Sequence, residues 1–104
     1  MIIYNITFHI ADGVRDECVR FLKTDYIPFV LRDGVLTKPQ LCRVLAQSEE
    51  GSSYALQFQV DNMELLNDWW KKNGEKLSSL IVERFSDEVV GFTTLLEHIG
   101  HDVV

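Results

Sequence analysis

The hydrophobic period of this chain changes in a fixed order, two, 3.6, two, two, 3.6 and two again, and that order spells βαββαβ. Ile2, Tyr4, Ile6, Phe8 and Ile10 alternate with Ile3, Asn5, Thr7 and His9, so an opening strand sets every second side chain against a core. Residues 41–46 read as a second strand, 54–60 as a third and 89–99 as a fourth. The polar stretch 47–53, with Gly51, suits a hairpin between the second and third. Right-handed crossovers then give an α+β domain: a four-stranded antiparallel sheet in the order 4-1-3-2, with the helices on one face.

The two crossovers differ. Asp12 can cap a first helix whose apolar residues Val14, Cys18, Phe21 and Leu22 keep the i, i+4, i+7, i+8 spacing. A residue before proline avoids the helical region, so Tyr26 and Ile27 are expected to form a break. Pro28 can start a short second helix through Arg32 that Gly34 ends. In the second crossover Asp61 and Glu64 make a capping-box-like start, and Leu66, Trp69, Trp70, Leu77, Leu80 and Ile81 trace one face until Ser86 and Asp87 interrupt it. Adjacent tryptophans on a helix stand about 100° apart, so one packs inward while the other flanks the core.

Composition narrows the function classes. The 104 residues suffice for a single domain, 1–104, that folds without disulfide or metal. The net charge of -6 and the scattered basic residues argue against a nucleic-acid partner. No apolar run approaches the roughly 20 residues needed to cross a bilayer. The amino terminus alternates and carries no basic n-region, so it is read as a strand and not a signal peptide, and cytoplasmic residence is expected. Cys18 and Cys42 form no CxxC pair and are expected to be free thiols.

Pairing strand one with strand four near Ile6 and Thr94, and with strand three near Tyr4 and Phe58, assigns Tyr4, Ile6, Phe8, Val44, Tyr54, Leu56, Phe58, Phe92 and Leu96 to the helix-covered face. The other face then carries Asn5, Thr7, His9, Leu41, Arg43, Leu45, Ala55, Gln57, Gln59, Thr93, Leu95 and Glu97. Leucines among neutral hydrogen-bonding groups suit a surface covered by another protein layer. A homodimer interface through Thr7, Leu41, Arg43, Leu45, Gln57, Gln59, Thr93 and Leu95 is the expectation.

The segments MIIYNITFHI, IPFVLRDGVLTKPQLCRVL, SYALQFQV and ERFSDEVVGFTTLLEHI resemble an uncharacterised bacterial family of small ferredoxin-like proteins in the dimeric α/β-barrel superfamily. Tyr4-Asn5, Ile27-Pro28 and Glu83-Arg84-Phe85 carry the resemblance most specifically. It implies a homodimer of facing four-stranded sheets and no particular activity.

Candidate chemistry is sparse. His9, beside Asn5 and Thr7, can act as a general base, and Arg43 completes a first choice of catalytic candidates with His9 and Asn5. The stronger reading is a strand-end histidine hydrogen-bonded at an interface. His98 and His101 have an HxxH spacing, but the antiparallel pairing separates His98 from His9 by about 20 Å, and two ligands are too few for zinc. No metal or cofactor is expected. Trp69-Trp70 with Tyr26 and Phe29 can line a pocket between helices and sheet, but core packing is the favoured account of them. Glu49, Glu50, Glu64, Asp68, Asp87 and Glu88 read as solvated acids. Tyr4, Phe8, Tyr54 and Phe58 fall on the core face, not on an RNA-stacking face. Ala11-Asp12-Gly13 replaces the paired cysteines of a metal chaperone. These residues favour a non-enzymatic homodimeric binding or interaction module, with a small-molecule ligand possible. The alternative is a cofactor-independent monooxygenase- or isomerase-like enzyme with a pocket between sheet and helices.

Overall fold

The even-numbered side chains of β1 (Ile2–Ile10) are all buried, and the strand pairs on both edges, so the sheet is built outward from it. The computed structural model describes residues 1–46 and 50–100, so the expected hairpin's residues 47–49 and His101 lie outside the described residues. After β1 come α1 (Arg15–Phe21), a π-helical turn (Leu22–Tyr26), α2 (Ile27–Leu31), β2 (Thr37–Arg43), β3 (Ser52–Val60), α3 (Met63–Phe85) and β4 (Val89–Glu97). The sheet order is β2-β3-β1-β4 and all three pairings are antiparallel. The expected α+β architecture and strand order are present.

The first crossover has no break before Pro28. Tyr26 and Ile27 both keep helical backbone, and the Ile27 N–H donates to the Leu22 carbonyl five residues back. A proline ring in a regular helix collides with the carbonyl four residues before it, and the wider π turn relieves that clash. In α3 the cap is Asn62, whose Oδ1 accepts from the Leu65 N–H at 2.9 Å, in place of Asp61.

Two strand registers differ from the expectation. Ile6 stands opposite Thr93, not Thr94, so Val89, Gly91, Thr93, Leu95 and Glu97 face the helix side and Val90, Phe92, Thr94 and Leu96 the open side. Both alternations in β4 are apolar enough to pass for a core face, and a slip of one residue exchanges them. Val89 decides the register, being buried opposite Ile10. Gly91 suits the same register, because a Cβ there would lie 3.3 Å from Cε1 of Phe8, a tight contact.

β2 begins earlier than expected and ends at Arg43. It contains a bulge between Thr37 and Gln40, where Lys38 has φ 52° and Pro39 sits in the edge strand. Leu41 pairs with Leu56 and Arg43 with Tyr54, which moves both to the helix side, while Cys42, opposite Ala55, faces the open side. Val44 and Leu45 lie beyond the strand and are exposed, Leu45 at 91%.

The core joins β1 and β3 to Cys18, Phe21, Leu22, Tyr26 and Val30 of the first crossover and to Leu66, Trp69, Leu77, Ile81 and Phe85 of α3. Asn73 is the buried polar group among them. Its Oδ1 accepts from Arg32 Nη2 at 2.6 Å and its Nδ2 donates to the Trp69 carbonyl at 3.0 Å, tying α2 to α3. Trp69 is 3% exposed and Trp70 43%, so the neighbouring tryptophans divide as their 100° separation predicts. Trp69→Ala is expected to cost about 3–5 kcal/mol of unfolding free energy and Trp70→Ala much less, measured by urea denaturation. Equal small losses would show that α3 presents a different face to the sheet.

Candidate functional site

The helix layer stops short of β4. Val89 is buried, but Gly91, Thr93, Leu95 and Glu97 face the helix side and remain exposed. The space between them and α3 is a cleft in two compartments. One, of about 230 Å³, is lined by Tyr4, Leu66, Asn67, Trp70, Thr93 and Leu95. The other, of about 320 Å³, reaches inward past Phe8, Tyr26, Leu77 and Ser78 to Val89 and Gly91. Tyr4, Trp70 and Thr93 line both. None of the lining side chains is charged; the polar groups are two phenols, two hydroxyls, the Asn67 amide and the Trp70 indole N–H.

Its aromatic wall is packed in sequence. The Tyr4 ring lies 6.2 Å from Trp70 at 44°, and Phe8 meets Tyr26 edge-to-face at 5.5 Å. Trp70 rests over Gly74, where a Cβ would come within 2.6 Å of the indole. A glycine inside a helix costs about 1 kcal/mol relative to alanine, so Gly74, one turn after Trp70, was the sequence signal for this site. The hydrophobic pattern alone assigns Trp70 to the core stripe and leaves Thr93 on the wrong face.

The sequence candidates lie elsewhere. His9, at the end of β1 on the open side, has Nδ1 3.2 Å from the Ser53 hydroxyl oxygen. Asn5 shares that side and donates from Nδ2 to Thr7 Oγ1 at 3.3 Å. Arg43 is on the opposite side of the sheet, so the structure does not bring the three together. His98 follows β4, its backbone N–H donating to the Met1 carbonyl. Tyr26 and Trp70 line the cleft, whereas Trp69 is core and Phe29 stacks outside it beneath the Arg32 guanidinium at 3.9 Å. Among the described residues no group of three or more His, Cys, Asp and Glu can hold a metal ion. A separate hollow of about 420 Å³ gathers His9 with Asp12, Glu50, Asp87 and Glu88 at the sheet's end.

Residues 1–99 match the family described as Domain of unknown function (DUF4286). The chain belongs to that family. No curated protein matches it. Among solved structures, this DUF4286 chain is similar to a putative antibiotic biosynthesis monooxygenase from Deinococcus radiodurans, with 14% identity and TM-score 0.72 over 100% of this chain and 98% of that one. A dimeric ferredoxin-like protein from an uncultured marine organism has 10% identity and TM-score 0.66, with both chains covered in full. A mutant MhuD with two manganese protoporphyrin IX groups bound per active site has 16% identity and TM-score 0.62, over 98% of each chain. These likenesses show a shared ferredoxin-like fold.

Burial disfavours ionisation of two phenols in the cleft and of one thiol in the core. It raises the Tyr4 phenol's pKa, against an opposing hydrogen bond to Thr93, and raises that of Tyr26 further, with the charge of Tyr4 adding to the effect. The Cys18 thiol is pushed from 9.0 to about 11, chiefly by burial and secondarily by Glu17. Each folded value exceeds its unfolded one, so above about pH 9 the unfolded chain binds fewer protons and stability falls as pH rises. The urea midpoint of the DUF4286 protein should therefore hold steady from about pH 7 to 8.5 and decline from about 9 to 11. Tyr26→Phe should flatten the part of the decline above about pH 10. A variant whose decline matches the wild type's would show that the Tyr26 phenol ionises freely in the folded state.

Proposed function

We propose that the protein is a homodimeric, non-enzymatic binding module that joins through the open face of its sheet and takes an uncharged, mostly apolar ring compound into the α3–β4 cleft. The observation that carries the reading is the cleft lining: aromatic walls, a few neutral hydrogen-bonding groups and no charge. Such a lining suits a ligand with a flat apolar body and a polar edge, since a charged one would lose its hydration without a partner.

The open face supports the dimer. Phe92 is 63% exposed there, with Val90 and Leu96 beside it. One structural neighbour is described as dimeric. The proposed interface therefore keeps Thr7, Gln57 and Gln59, adds Phe92 and Leu96, and leaves out Leu41, Arg43, Thr93 and Leu95, which face the helix side, and Leu45, which lies beyond the strand. Free Cys18 and Cys42 support a cytoplasmic setting, and the charge of -6 argues against nucleic acid. No helix is long and apolar enough to cross a membrane among the described residues.

A porphyrin does not fit the cleft. Its iron takes imidazole, thiolate or phenolate, yet the lining holds neither His nor Cys, and burial keeps both tyrosines protonated. The lining also has no cation for a porphyrin's carboxylates. The enzymatic reading, a cofactor-independent monooxygenase or isomerase, draws support from the monooxygenase-like neighbours. None of His9, Asn5 and Arg43 lines the cleft, which favours binding over turnover.

Light scattering should give twice the chain mass. Phe92→Glu should dissociate the dimer and Leu45→Glu should leave it intact, because the first buries a carboxylate and the second does not. A wild-type monomer at all concentrations would refute the interface. In calorimetric titrations 2-naphthol should bind at least about tenfold more tightly than naphthalene-2-sulfonate, which adds a charge to the same rings. Equal affinity for the two would refute a site selective for uncharged ligands.

A further inference from the structure

Gly74 is buried in the interior of α3 and does not have positive φ, so no turn or left-handed backbone calls for glycine there. What it supplies is room. A Cβ at that position would lie 2.6 Å from Cε2, 2.7 Å from Cδ2 and 3.0 Å from Cζ2 of Trp70. The indole thus lies across the backbone of the following turn, whereas long side chains on a helix ordinarily lean toward its N-terminus. Beyond this seat it meets the Tyr4 ring, and it borders both compartments of the cleft.

Size makes that placement consequential. Sites for drug-sized molecules occupy roughly 300–1,000 Å³. At about 230 and 320 Å³ the compartments stand at or below the lower end of that range, and the two joined fall within it. The indole is 43% exposed, so solvent on its outer side gives it somewhere to move.

We propose that Trp70, seated on Gly74, is the specificity-determining partition of the cleft: seated, it confines an uncharged ligand to a one- or two-ring compartment, and displaced, it opens one slot for an extended ring system. The proposal rests on the ligand-binding reading above and deepens it. Gly74→Ala fills the seat without touching the cleft's polar groups, and Trp70→Ala removes the partition outright. Ser78, Asn67 and Thr93 remain in place as hydrogen-bonding groups in both variants.

The full chain and these two variants are titrated with 2-naphthol and with 1-pyrenemethanol, a four-ring neutral alcohol, and circular dichroism verifies that each is folded. Acrylamide quenching of tryptophan is compared between the wild type and Gly74→Ala, in which buried Trp69 serves as a constant background. Wild type should prefer 2-naphthol by at least about tenfold, and both variants should gain at least about tenfold for 1-pyrenemethanol. Gly74→Ala should also quench more readily. Unchanged quenching in Gly74→Ala overturns the seat. Variants that bind 2-naphthol with the wild type's preference overturn the partition while the ligand site stands. A displaced indole with no probe bound by any of the proteins overturns the ligand site and the partition with it. If Trp70→Ala fails to fold, Gly74→Ala decides the matter alone, since alanine is the better helix former.

Discussion

Gly91 lies opposite Phe8, whose ring would be in tight contact with a side chain there, and each residue of β4 beyond it takes its side of the sheet from that pairing. With Val89 anchored opposite Ile10, Thr93 and Leu95 turn toward the helices and Phe92 and Leu96 away from them. Both proposed surfaces follow. The helix-side residues become one wall of the cleft, and the outward ones make the apolar band on the open face. A register one residue different would place Phe92 in the cleft and Thr93 on the interface, abolishing the character of each.

The opposite wall depends on how α3 is held. Asn73 accepts from Arg32 and donates to the Trp69 carbonyl, which fixes the end of α2 against the middle of α3. Arg32 in turn lies over the Phe29 ring at 3.9 Å, with Lys76 approaching the same ring at 5.6 Å. A buried amide is costly unless both ends are satisfied, and here both are. Trp69, Trp70 and Gly74 flank this clamp on consecutive turns. The indole that borders the cleft is thus carried by the part of α3 that Asn73 ties to α2, while the indole itself stays half-exposed.

Much of the fold was legible because β1 and β3 alternate clearly: Tyr4 against Phe58 is the observed register, and the strand order follows from crossover handedness. The edge strands were less legible for definite reasons. In β4 residues 89, 91, 93 and 95 and residues 90, 92, 94 and 96 are both apolar enough to read as core, and a glycine's contact with Phe8 is not a property of β4's own sequence. In β2 the bulge at Lys38 and Pro39 disguises the strand's first half as loop, and it shifts which of Leu41 and Cys42 faces inward. Of the site, the split of the tryptophan pair and the place of Tyr26 were readable from helix geometry. The cleft was not, because it arises where the helix layer ends over β4, a relation between elements that no local pattern encodes.

The cleft and the open face are opposite sides of one strand. Thr93 lines the cleft, and its neighbours Phe92 and Thr94 point to the open side, joined to it by a single peptide bond each. On one flank β4 is bonded to β1; on the sheet's helix side most of it is bare. Within the proposed dimer, a second copy packed on Phe92 restrains the strand from the side that the helices leave unsupported, and the same backbone restraint fixes the height of Thr93 and Leu95 above Trp70. Dimerisation would then define the cleft as well as hide the apolar band. On that reading, the second copy supports the last strand of the sheet from one side while the other side stays open to the proposed ligand.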